Sequence, residues 1–233
     1  MTPVSRPRIA VIVFPGSNDD HDATLALDAL GADAVSVWHG EDDLGDVAAV
    51  VLPGGFSHGD YLRCGALARF SPALRAVERF AAGGGPVLGI CNGFQILCEA
   101  GLLPGVLRPN RSLAFVCRDV AVRVEDASTS FTRRCAPGQR LTIPVKHGEG
   151  CWFAPPEVVA ELETAGRIVL RYADGNPNGS VADVAGVMNE AGNVMGLMPH
   201  PEHAVDALLG STDGALILGS LVDTARSRAA APV

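Results

Sequence analysis

Much of what would define other protein classes is scarce in this 233-residue chain. Charged residues make up 19% and aromatics 5%, too little charge for a disordered chain or a basic nucleic-acid-binding surface. The formal net charge is −8 and Lys and Arg form no block, so a phosphate backbone would be repelled. No apolar run approaches the ~18 residues of a membrane helix. The apolar stretch over residues 9–14 is too short for a signal peptide and no small-residue cleavage site follows it; it is expected to be a buried strand, and the chain to be cytoplasmic. Six cysteines occur without a C-x-x-C pair, which removes the usual zinc-ribbon and redox patterns. Cys91 and Cys98, seven apart on one expected helix, would lie ~10 Å apart, too far for a disulfide. Neither G-x-x-x-x-G-K-[ST] nor G-x-G-x-x-G is present, so no nucleotide cofactor is expected in this chain.

What is present is apolar material, 48% of residues, enough for the core of a single domain spanning residues 1–233. Through the first half, strand-like runs at 8–14, 34–38, 47–55 and 86–90 alternate with helical patterns at 18–30, 67–82 and 91–99. Alternation of this kind implies parallel pairing with right-handed crossovers. Runs such as Val47-Ala48-Ala49-Val50-Val51-Leu52 suit central strands with helices on both faces. The second half carries strand-like runs at 115–125, 141–145, 167–172, 184–188 and 193–198 with turn residues between them, which suggests antiparallel or mixed pairing. A helical pattern over 204–225 closes the chain, and the Ala/Pro-rich tail after Arg226 is expected to fray. The fold class is therefore α/β: an open, mostly parallel sheet with helices on both faces and added antiparallel strands in the second half.

The chemistry concentrates in three segments. Pro86-Val87-Leu88-Gly89-Ile90-Cys91-Asn92-Gly93 reads as a buried strand running into a helix through a thiol form of the nucleophile elbow. Glycines on both sides of Cys91 leave room for the sharp turn, and the helix N-terminus favours a thiolate. The commonest fate of a free cysteine is burial as a small apolar residue, and the other five are read that way. Met198-Pro199-His200-Pro201-Glu202-His203 supplies a base and its orienter: Glu202 would hold the imidazole of His200, which would carry the proton between thiol and leaving group. His200-x-x-His203 also has metal-ligand spacing, but no third ligand motif accompanies it, and no metal is expected. After a third strand, Pro53-Gly54-Gly55 lets backbone approach a ligand, so the N–H groups of Gly54 and Gly55 could join that of Asn92 in an oxyanion hole. The acidic run over 16–22 lacks calcium-loop spacing and is expected to serve the start of a helix.

These residues resemble class I, triad-type glutamine amidotransferases, and more closely the glutaminase subunits of phosphoribosylformylglycinamidine synthases. The stretches that carry the likeness are Leu52-Pro53-Gly54-Gly55-Phe56-Ser57-His58-Gly59-Asp60-Tyr61-Leu62-Arg63, Gly89-Ile90-Cys91-Asn92-Gly93-Phe94-Gln95, Asn110-Arg111-Ser112-Leu113-Ala114-Phe115, Val145-Lys146-His147-Gly148-Glu149-Gly150, Asn176-Pro177-Asn178-Gly179-Ser180 and Pro199-His200-Pro201-Glu202-His203. The resemblance implies a flavodoxin-like sheet and Cys91 as nucleophile with His200 and Glu202. It implies Gly55 and Asn92 as oxyanion donors, and Gln95, Ser112 and Phe115 as contacts to bound glutamine. It further implies two partners, a synthetase subunit carrying ATP and Mg and a small bridging subunit, in purine biosynthesis. Two departures stand out. Asp19 stands where the family often has Cys, and Cys151-Trp152 follows Gly150 where Arg and an aromatic residue are usual; both are expected away from the triad, at a partner surface. Other readings of the same residues are a γ-glutamyl hydrolase or protease-like enzyme, and a non-catalytic regulatory subunit; a glutaminase assay separates them.

Overall fold

A computed structural model of the chain describes residues 6–230. Eleven strands and five α-helices follow one another along these residues. β1 (Arg8–Val13), β2 (Asp33–Trp38), β3 (Ala49–Leu52), β4 (Val87–Ile90) and β11 (Val194–Leu197) form the parallel half of a nine-stranded sheet. Next come β10 (Val184–Met188), β9 (Ile168–Tyr172), β6 (Val116–Val124) and β7 (Arg140–His147), all paired antiparallel, giving the order β2-β1-β3-β4-β11-β10-β9-β6-β7. The α/β fold and its change of character at mid-chain are as the hydrophobic pattern predicts. β1, β3, β4 and β11 are buried along nearly their whole length, as strands covered on both faces must be.

Right-handed crossovers leave β1 in one direction and β3 in the other, which puts α1 (Asp20–Ala29) on one face and α2 (Pro72–Ala82) and α3 (Asn92–Glu99) on the opposite one. α5 (Gly214–Ala229) packs beside α1. Among the described residues no helix is long and apolar enough to cross a membrane.

Four local readings need correction. The helical pattern at 67–82 is interrupted: a 3₁₀ turn, Ala68–Phe70, precedes α2. Ser71 caps α2 by accepting from Leu74 N at 3.2 Å, and Pro72 takes its first position, a stop-and-restart signal that the apolar run conceals. The closing helix starts at Gly214, not Ala204. Gly210 sits at φ 99, where a helix ends, and Gly214 lies against the backbone of Pro201, where a side chain would clash. The helix then continues through Ala229, so residues 227–229 of the tail expected to fray are helical, and residues 231–233 of it lie outside the described residues. Finally, β5 (Val106–Arg108), β8 (Cys151–Phe153) and α4 (Pro156–Thr164) were not anticipated.

Candidate active site

The sheet order assembles the site. β3, β4 and β11 are parallel neighbours, so their carboxyl ends share one edge, where open α/β sheets bind ligands. Gly55 follows β3, Cys91 follows β4 and His200 follows β11. The N–H of Cys91 donates to Leu197 O at 2.8 Å and extends the β4–β11 pairing to the base of the loop that carries His200. The antiparallel half bends back over this edge: its last strand, β7, accepts the N–H of His200 at Pro144 O (2.8 Å), and Lys146 O accepts the Cys91 thiol at 3.8 Å.

Cys91 stands at φ 51, ψ −103, a strained conformation for a side-chain-bearing residue that costs about 1–3 kcal/mol. The flanking glycines make it possible. A Cβ on Gly89 would come within 2.7 Å of the Gly93 backbone, and one on Gly93 would overlap the Leu52 carbonyl. Asn92 opens α3, where a helix N–H has no intrahelical acceptor; its side chain accepts from Ser57 N (3.0 Å) and donates to Gln95 Oε1 (2.8 Å). That bridge ties the loop bearing Gly55 to the elbow.

His200 and Glu202 are both buried, with Nδ1 of the imidazole 2.6 Å from Glu202 Oε1. Nε2 of His200 is buried without a hydrogen-bond partner and free to serve the neighbouring Cys91 sulfur. Burial opposes charge on the ring, but the Glu202 carboxylate, then the Cys91 sulfur, outweigh it and raise His200 to about 10. The arrangement favours the imidazolium form of His200 beside the Cys91 sulfur at neutral pH.

The expectation that Asp19 lies away from the triad is wrong. Asp19 is 3% exposed, its Oδ2 is 3.7 Å from His200 Nδ1, and its Oδ1 binds His203 Nε2 at 3.1 Å and the Lys146 ammonium. Burial would raise its carboxyl; the bond from His203, the charge of His200 and Lys146 overcome this and hold it well below the usual carboxylate range. The side chain does not cap α1, so the acidic run serves the helix through Asp20 and Asp22 alone. Cys151 and Trp152 are not a partner surface either: both are buried, with the indole N–H donating to Pro104 O at 3.0 Å. Asp19, His200, Glu202 and His203 each offer one metal-ligand atom within 4.8 Å of the others, a convergence that His200-x-x-His203 alone does not reveal. These atoms already bond one another and Lys146.

A cleft of about 380 Å³ opens beside Cys91. Gly55, Gln95 and Phe115 line it, together with Asp60, Lys146 and Glu149. Gln95 is fixed by its bond to Asn92 and by donating to Glu149 O at 2.7 Å. Ser112 is exposed and not among the cleft residues; its hydroxyl accepts from Ala114 N at 3.3 Å.

Sequence reasoning missed the scaffold under the cleft. Asn110 accepts from Gly150 N (2.9 Å), donates to His147 O (2.8 Å) and meets His147 Nδ1 at 3.0 Å. Asn178 bridges Tyr172 Oη (3.0 Å) and His147 Nε2 (3.4 Å). Burial, then the charge of His200, lowers His147 to about 4, so this ring is neutral: Nδ1–H donates to Asn110 and Nε2 accepts from Asn178. Asn110, His147 and Asn178 each lie in a stretch that carries the family likeness, which was the available signal.

A family model described as the CobB/CobQ-like glutamine amidotransferase domain matches residues 6–213. The chain is 58% identical to the phosphoribosylformylglycinamidine synthase subunit PurQ of Frankia casuarinae, over 95% of this chain and 96% of that one. It is also 58% identical to the subunit of the same name from Rubrobacter xylanophilus, over 94% and 99%. Among solved structures, a chain of PurLQS from Thermotoga maritima superimposes with a TM-score of 0.87 at 42% identity, covering 94% of this chain and 99% of that one. A putative GMP synthase subunit from Thermoplasma acidophilum, at 17% identity with TM-score 0.67 and 96% of each chain covered, shares the fold. With a thiol elbow, a buried imidazole–carboxylate pair and relatives of this identity over nearly its full length, the chain belongs to the CobB/CobQ-like glutamine amidotransferases, in the group of phosphoribosylformylglycinamidine synthase PurQ subunits.

Proposed function

We propose that this chain is the glutaminase subunit of a phosphoribosylformylglycinamidine synthase, with Cys91, His200 and Glu202 as its catalytic residues. The observation that carries this reading is the strained Cys91 beside a buried His200 whose Nδ1 is held by Glu202 and whose Nε2 has no other partner. The Cys91 thiolate attacks the side-chain amide carbon of glutamine, and the N–H groups of Gly55 and Asn92 receive the oxyanion. One such donor is worth about 3–4 kcal/mol in the transition state. His200 protonates the leaving nitrogen, and ammonia departs as the γ-glutamyl thioester forms. His200 then takes a proton from water as the water oxygen attacks the thioester, releasing glutamate and restoring the thiolate.

Ammonia passes to the synthetase subunit, where we place ATP and Mg, and a small bridging subunit joins the two. The Thermotoga maritima PurLQS structure, one chain of which superimposes on this protein, supports the partnership. The six unpaired cysteines support a cytoplasmic location. The test is Cys91→Ala in the assembled complex. Synthesis from glutamine should fall on the order of 10⁴-fold or more, while synthesis from ammonium salts persists. Retained glutamine hydrolysis, or loss of the ammonia-dependent reaction in a correctly assembled complex, overturns the assignment.

A further inference from the structure

Asp19 occupies the position from which a side chain would cap α1, yet it forms no cap. It is instead buried where three loops meet, and the fold bears the desolvation of a carboxylate there. Its two oxygens do different things. One holds His203 and the ammonium of Lys146, the only lysine in the chain; the other lies 3.7 Å from the Nδ1 edge of His200. Space is reserved for this approach: a Cβ on Gly54 would strike the Asp19 carboxylate and come within 2.7 Å of His200 Cε1. The glycine at 54 thus admits Asp19 and His200 to one point.

We propose that Asp19 is a positioning residue of the glutaminase, a second carboxylate on the Nδ1 side of His200 with Lys146 as its counter-ion. The inference rests on His200 serving Cys91. The groups around the imidazole are Glu202 and His203 from its own turn, Asp19 from the loop after β1, Cys91 from the elbow after β4, and His147 from β7; Lys146, also on β7, is joined to them through Asp19. His147 is neutral. Asp19 therefore favours the imidazolium, and Lys146 offsets part of that effect.

The two charges should act on His200 with opposite signs, which a merely structural role does not do. The experiment follows the His200 ring nitrogens by nitrogen-15 NMR across pH in the full chain, with the signal assigned by its absence in His200→Gln. The alkaline limb of kcat/KM for glutamine is measured in the assembled complex. Asp19→Asn should lower both by about 1 pH unit, Lys146→Met should raise both, and the double variant should return toward the parent. Unchanged titration with lowered activity, or shifts in the same direction, overturns the proposal. Should Asp19→Asn fail to fold, acetylation of Lys146, the only side-chain amine, must raise the His200 titration; a fall or no change counts against the idea. The NMR titration needs no turnover, so it is decided even if Cys91→Ala retains activity and the glutaminase reading fails.

Discussion

At the scale of single residues, charge placement matters more than charge count. Glu202 contacts His200 directly and both are buried, so its carboxylate acts on the ring with less screening than it would in water. Glu202→Gln keeps the volume and removes the charge. Labelling of Cys91 by a γ-electrophilic glutamine analogue should slow on the order of 10²-fold in that variant; equal labelling rates would remove Glu202 from the triad. The proposed triad stands out in the chain because its members are punctuated: glycines bracket Cys91, and prolines bracket His200. Asp19 and Lys146 carry no such marks. Asp19 looks like any acid at a helix start, and Lys146 like any cation at a strand end. Their meeting follows from the bend that returns β7 over the carboxyl ends of the parallel strands.

At the scale of elements, the elbow is a joint between β4 and α3 held by missing side chains. Gly93→Ala would force a methyl into the Leu52 carbonyl of β3. Overpacking of this kind costs about 1–3 kcal/mol, so a fall in Tm of several °C is expected, with slower Cys91 labelling as α3 moves from the elbow. An unchanged melting curve would show that the strand and helix part without cost. Long β-branched strands announced themselves in the sequence. β5 and β8 have three residues each, too few to display a period, and Pro155-Pro156 reads as a breaker although it opens α4. The run over 204–209 has apolar residues at helical spacing, yet the backbone turns at Gly210 before α5 can begin.

At the scale of the whole molecule, several large apolar side chains remain in water around the cleft. Phe56 and Phe115 line its mouth, Tyr61 and Leu62 follow in the first bordering loop, and Leu113 stands 84% exposed at φ 54 in the second. A leucine in the left-handed region has neither conformational nor burial support, so its contribution is expected in the complex. Leu113→Asn suits that backbone better and should leave Tm unchanged or higher, while affinity for the synthetase subunit falls about tenfold. Unaltered affinity would exclude this loop tip from the interface.

The place of β11 has a consequence for how the molecule is made. β4 is complete at Ile90, but its neighbour on one side, β11, begins only at Val194. A ribosome adding about 5–20 residues per second spends several seconds or more on the intervening stretch of roughly 100 residues. Throughout that interval the nascent sheet has an unpaired apolar edge beside the already synthesised Cys91 elbow. A chain released before β11 emerges would therefore be both inactive and sticky.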